Sequence, residues 1–76
     1  MQSKDALSER ELEVLTLICQ QYTAKEIAEK LFVTSKTIEA HKSSLLLKTG
    51  VKNTAGLIIY AVQNKLVNPN TILLLD

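Results

Sequence analysis

Apolar residues recur along this 76-residue chain at helical spacing, and nowhere in the alternation of a strand. Leu12, Leu15, Ile18 and Cys19 form the first stripe and predict a helix over about 9–20. Its start is written in Ser8-Glu9-Arg10-Glu11: the Ser8 hydroxyl can accept from the backbone N–H three residues on, and Glu11 can reach back. Glu9, Glu11 and Glu13 also favour the positive end of the helix dipole. Thr23 to Glu26 repeats the capping pattern and opens a helix over about 24–31, with Ile27, Ala28 and Leu31 as its inner stripe. Phe32-Val33 reads as an apolar turn that anchors the next helix, for which Thr34 and Ser35 both offer a capping hydroxyl. That third helix covers about 35–49 and ends at Gly50, where a left-handed cap is expected, with Val51 packing just beyond. Asn53 or Thr54 caps a fourth helix over about 54–64.

The fold class is therefore all-α, four helices with short connections. Residues 1–6 read as a linker or chain end, 7–67 as one domain and 68–76 as a tail. That tail holds the break Asn68-Pro69-Asn70 and the apolar run Ile72 to Leu75.

Composition bounds what such a chain does. Apolar residues make up 46% of it, so a helical core closes without disulfide or metal staples. The one cysteine, Cys19, lies among Leu15, Leu17 and Ile18 and reads as a buried, inert thiol. No Cys/His set has zinc spacing, so neither cofactor nor metal is expected. No signal peptide or membrane-length apolar run is present, and a reducing cytoplasm is the expected location.

The net charge is only +1, but it is polarised. Residues 1–20 set Lys4 and Arg10 against Asp5, Glu9, Glu11 and Glu13, whereas 35–52 set Lys36, Lys42, Lys48 and Lys52 against Glu39. The positive segment coincides with the third helix. About three residues separate it from the second helix, the spacing of a helix-turn-helix whose second helix enters the major groove.

At roughly 100° per residue, Ile38, Leu45 and Thr49 fall on the inner side of the third helix, flanked by His41 and Lys42. Lys36, Ala40, Ser43 and Leu47 fall on the outer side, bordered by Glu39 and Ser44. Small side chains let a helix approach base edges. Lys36 can reach phosphate or guanine, Glu39 can accept from cytosine N4, and the Ala40 methyl can touch a thymine methyl. An ordinary solvated helix face has the same composition, and the residues alone leave both readings open. His41, at the edge of the core face, reads as a hydrogen-bonded structural residue, with phosphate contact as the alternative. No nucleophile, partner base or Gly-rich loop accompanies it, so an enzyme is not expected.

Four runs then carry a resemblance: Leu-Ser-Glu-Arg-Glu-Leu-Glu-Val-Leu from Leu7 to Leu15, Lys-Glu-Ile-Ala-Glu-Lys-Leu from Lys25 to Leu31, Thr-Ile-Glu-Ala-His-Lys from Thr37 to Lys42, and Lys48 with Gly50 and Val51. Leu7 to Val67 resembles the DNA-binding domain of LuxR-type regulators, also called GerE-type, of the FixJ/NarL-like response regulators. The resemblance implies a four-helix domain whose third helix reads duplex DNA. It implies base contacts at Glu39, Ala40 and Ser43, and Ser35 and Lys36 at the start of that helix complete the expected DNA-binding set. It implies phosphate contacts at Thr23, Lys25, Thr37, Lys42 and Lys48, and a fourth helix that pairs two domains on DNA. Leu57 to Val62 wraps apolar residues most of the way round that helix, and Ile58, Ile59 and Val62 are the expected dimer surface. It also implies an upstream regulatory domain, a phosphoacceptor receiver, in the full-length protein, and no membrane partner.

Several positions depart from the family pattern. Glu39 stands where a basic residue is frequent, Ser44 where Asn is usual, Leu47 where a basic residue is common, Thr49 where a core Leu sits, and Thr54 where Arg is frequent. Lost positive charge predicts weak DNA binding by the isolated domain. It also keeps a second reading in view: a protein-interaction module of the same fold, using the fourth helix and the tail.

Overall fold

The computed structural model describes residues 6–68. They form four helices in sequence: α1 (Glu9–Cys19), α2 (Ala24–Leu31), α3 (Ser35–Thr49) and α4 (Thr54–Gln63). No strand occurs among the described residues. Helix α3 packs against each of the other three, and α1 touches all of its neighbours as well.

Each helix begins where a side-chain oxygen satisfies an orphan backbone donor. Ser8 and Glu11 form a complete capping box at α1, and Thr23 and Glu26 form a second at α2. Thr34, not Ser35, caps α3, and its Oγ1 accepts from the Thr37 backbone N–H at 3.1 Å. Asn53, not Thr54, caps α4, and its Oδ1 accepts from the Gly56 N–H at 3.0 Å.

Two helices stop one residue short of the expected ends. Gln20 is the C-cap of α1, and its N–H is shared among carbonyls of the last turn before Gln21 turns to φ 72°. Asn64 caps α4, and its side-chain amide donates to the Tyr60 carbonyl at 2.9 Å. Gly50 takes φ 75° at the end of α3, as the left-handed cap requires. Gly56 is needed for a different reason: a Cβ there would stand 2.8 Å from Val51 Cβ, so its absence lets α4 close onto the Val51 turn.

The core joins Val14, Leu15, Ile18 and Cys19 of α1, Ile27 and Ala28 of α2, Ile38 and Leu45 of α3, and Leu57 and Ala61 of α4. Val14 takes the deep place that the α1 stripe assigned to Leu12, which is half-buried. Leu31 is half-buried too. Thr49 stands in the inner row without an apolar side chain. Its hydroxyl donates to the Leu45 carbonyl at 2.7 Å, which removes the cost of placing it there. Cys19 is buried, and burial pushes its thiol pKa up.

The α2–α3 turn corrects one expectation. Val33 is half-buried and packs against the core, but Phe32 is 93% exposed. Phe32 is the C-cap of α2 at φ 60° and ψ 42°, a left-handed conformation that turns its side chain away from the core. The dihedrals needed for the tight turn override the hydrophobicity of the ring. A non-glycine residue there costs about 1–2 kcal/mol, and a ring this exposed recovers little by packing. Phe32→Gly is expected to raise stability by roughly 0.5–1 kcal/mol, after the entropy cost of glycine in the unfolded chain. The urea midpoint measures it; a fall in stability would show that the ring contributes packing.

Candidate nucleic-acid interface

The short turn Phe32-Val33-Thr34 holds α2 and α3 in contact and leaves one face of α3 free. Lys36, Ala40, Ser43 and Leu47 are all exposed on that face, as the helical wheel predicts, and Glu39 is exposed at its border. Ser35 is exposed at the first position of α3, and Thr37, two residues on, is half-buried. The Thr37 and Thr34 hydroxyls lie 3.0 Å apart. At the start of α2, Thr23 and Lys25 are both exposed. The structure thus brings the start of α3 and its outer row onto one continuous helix surface. It places Thr23 and Lys25 on the first turn of the helix packed against it.

Lys42 and His41 are half-buried on opposite flanks of the inner row. His41 makes no side-chain hydrogen bond among the described residues, contrary to the structural role expected of it. Its flank of α3 is only half covered, and no donor or acceptor of a neighbouring helix reaches the ring.

Lys48 has a clear intramolecular partner. Its ammonium donates to Glu11 Oε1 at 2.8 Å, and more distantly to the Ala6 carbonyl at 3.4 Å. Ser44, one turn earlier on the same flank of α3, donates its hydroxyl to Glu11 Oε2 at 2.6 Å. The Ser8 N–H donates to Glu11 Oε1 at 2.9 Å. Glu11 itself is buried, 5% exposed. Burial pushes its carboxyl up. The hydrogen bonds from Lys48, Ser44 and Ser8, with the Lys48 charge, outweigh that and hold it at about 2, against an ordinary 4.5.

This cluster was not legible as a site in the sequence, where Glu11 reads as a capping residue and Ser44 as a departure from pattern. The available signal was the spacing of Ser44 and Lys48, two polar residues at i, i+4 on the flank of a buried row. Lys36 and Lys42 on α3 and Lys25 on α2 form no such ion pair among the described residues, and the acidic Glu39 lies between the two α3 lysines.

On α4, Ile59 is 58% exposed, Val62 is half-buried, and Ile58 is half-buried against the core. Among the described residues no group of three or more His, Cys, Asp or Glu side chains is poised for a metal. None of their helices is long and apolar enough to cross a membrane.

A helix-turn-helix with a bare, small-residue outer row on its second helix matches one family by sequence. The family described as bacterial regulatory proteins, luxR family, matches residues 5–61. The chain belongs to the LuxR family. Its similarity extends to the oxygen regulatory protein NreC of Staphylococcus aureus in strains JH9, USA300 and NCTC 8325. Each is 54% identical over 61 residues, which cover 80% of this chain. The chain spans 28% of the length of these relatives. LuxR-family domains of this kind are DNA-binding modules of transcription regulation, not enzymes, and the four-helix architecture here is the one that membership implies.

The low Glu11 pKa fixes the sign of a pH effect. A carboxylate held at about 2 when folded and near 4.5 when unfolded contributes stability above pH 4.5, and loses it as pH falls toward 2. The contribution is on the order of 3 kcal/mol. Unfolding followed between pH 6 and 2 is expected to show wild type losing this increment relative to Glu11→Gln, which starts less stable. Parallel curves for the two proteins would show that Glu11 is not held in its ionised form.

Proposed function

We propose that this domain binds duplex DNA sequence-specifically as the output domain of a response regulator in the cytoplasm, with α3 in the major groove. The observation that carries the reading is the exposed row Lys36, Ala40 and Ser43, with Glu39 at its border, on the second helix of a LuxR-family helix-turn-helix. Ala40 and Ser43 let the helix approach base edges. Glu39 accepts from cytosine N4, and Lys36 contacts phosphate or guanine. Ser35 and Thr37, at the start of α3, together with Thr23, Lys25 and Lys42, hold the phosphates that set register. Lys48 acts first through Glu11, and only a remaining N–H is available to phosphate. On α4, Ile58, Ile59 and Val62 pair two domains on DNA, with Ile59 the most exposed of the three. In the full-length protein we place a further regulatory domain, a receiver, beside this one; the relatives, of whose length the chain spans 28%, leave room for it.

Two observations favour the second reading, a protein-interaction module: Lys48 is neutralised within the fold, and the acidic Glu39 stands at the border of the proposed reading face. Salt dependence separates the two, because a phosphate binder releases counterions and a protein-binding surface has no such requirement toward DNA.

The chain is expected to bind a selected duplex weakly, with a measurable salt dependence set by its few unpaired lysines. Lys42→Ala is expected to weaken all duplexes alike and reduce the salt slope by about 1. Glu39→Gln is expected to tighten non-specific binding while losing about 1–3 kcal/mol of discrimination at one base pair. Titration against the selected site and its single-base variants decides. Uniform tightening with unchanged base preference would mean that Glu39 is only a charge near DNA. Salt-independent binding, or none, would remove the DNA reading.

A further inference from the structure

Leu45, Leu46 and Leu47 follow one another on α3 and have three different fates. Leu45 is fully buried, Leu46 is half-buried against the core, and Leu47 is 84% exposed. Leu47 therefore contributes little to folding. At roughly 100° per residue, Lys36, Ala40, Ser43 and Leu47 share an arc of about 60°, so Leu47 continues the outer row by one more turn.

The geometry points to Leu47 as a specificity residue that contacts the 5-methyl group of a thymine in the major groove. This rests on the DNA-binding reading above and extends it to the chemistry of one base. Three features select that partner. A leucine cannot hold a phosphate or donate to a base edge. The one basic residue in the last turn of α3, Lys48, is turned to Glu11 on the flank of the helix, so it does not draw this end of the helix toward phosphate. The apolar group that a base presents in the major groove is the thymine methyl.

Reach is consistent with this. Leu47 lies about 6 Å along the helix from Ser43, on the order of two base steps. The spacing of Ala40, Ser43 and Leu47, i, i+3 and i+7, matches the span over which a major-groove helix makes base contacts.

Replacing thymidine by deoxyuridine removes only the methyl group. The test uses the 76-residue chain, the selected duplex, and a set of duplexes each carrying one such replacement. Wild type is expected to lose about fourfold in affinity at one position attributable to Leu47, the value of one buried methyl group. Leu47→Ala is expected to bind the parent duplex about as weakly as wild type binds that replaced duplex, and to be indifferent to the replacement. Helix content by circular dichroism checks that the exposed substitution leaves the fold intact. Leu47→Lys is expected to bind all duplexes more tightly, with a steeper salt slope, and to lose the thymine preference at the same position. If wild type and Leu47→Ala respond identically to every replacement while both bind the selected duplex, Leu47 does not read thymine, and the DNA-binding reading stands. If neither binds duplex DNA in a salt-dependent way, both readings fall.

Discussion

Glu11 sits where the start of α1 meets the last turns of α3, and donors from three places converge on its two oxygens. The Ser8 N–H arrives from the capping box, the Ser44 hydroxyl from the middle of α3, and the Lys48 ammonium from its last turn. A buried carboxylate with fewer partners would cost several kcal/mol or take up a proton. Here each oxygen has at least one strong donor, and the ion pair is charge-assisted and short. The arrangement ties one residue to two tasks: Glu11 completes the cap that starts α1 and fixes the register of α3 against it. Hydrophobic contacts among Leu15, Ile38 and Leu45 hold the same helices together, but they are non-directional. The hydrogen bonds add what those contacts lack, a defined rotation of α3 about its own axis.

That rotation matters because the proposed reading face is narrow. Lys36, Ala40, Ser43 and Leu47 share a small arc, and a turn of α3 by one residue's angle would move the row away from the groove. The cluster lies on the adjacent flank, one position from Ser43, so it holds the helix without occupying the face. It also uses a cation that would otherwise add to DNA affinity. With Lys48 engaged and Glu39 exposed, the α3 face carries little net charge. On the proposed reading, DNA affinity rests more on the first turns of α2 and α3 and on the proposed pairing of two domains than on a broad basic patch.

Much of this was readable from the chain. The bounds of α2 and α3 follow from Thr23, Thr34 and Gly50, because capping geometry is local and its residue types are few. The outer row of α3 is legible for the same reason, since helix faces follow from spacing. Phe32 misled because its side chain argues for burial, whereas its backbone conformation is set by a three-residue turn. Glu11 was visible only as a cap. Its burial depends on where Ser44 and Lys48 land, more than thirty residues away, and no local pattern carries that. The core role of Val14 over Leu12 is likewise a matter of which side of α1 meets α3.

The most direct test of the central claim is a double-mutant cycle on Glu11→Gln and Lys48→Met, read by urea unfolding at neutral pH. If the buried cluster seats α3 on α1, each single change destabilises, and the pair shows a coupling of about 1–3 kcal/mol. Effects that add within about 0.5 kcal/mol would mean that the two side chains are not coupled in the folded protein, and would contradict the account.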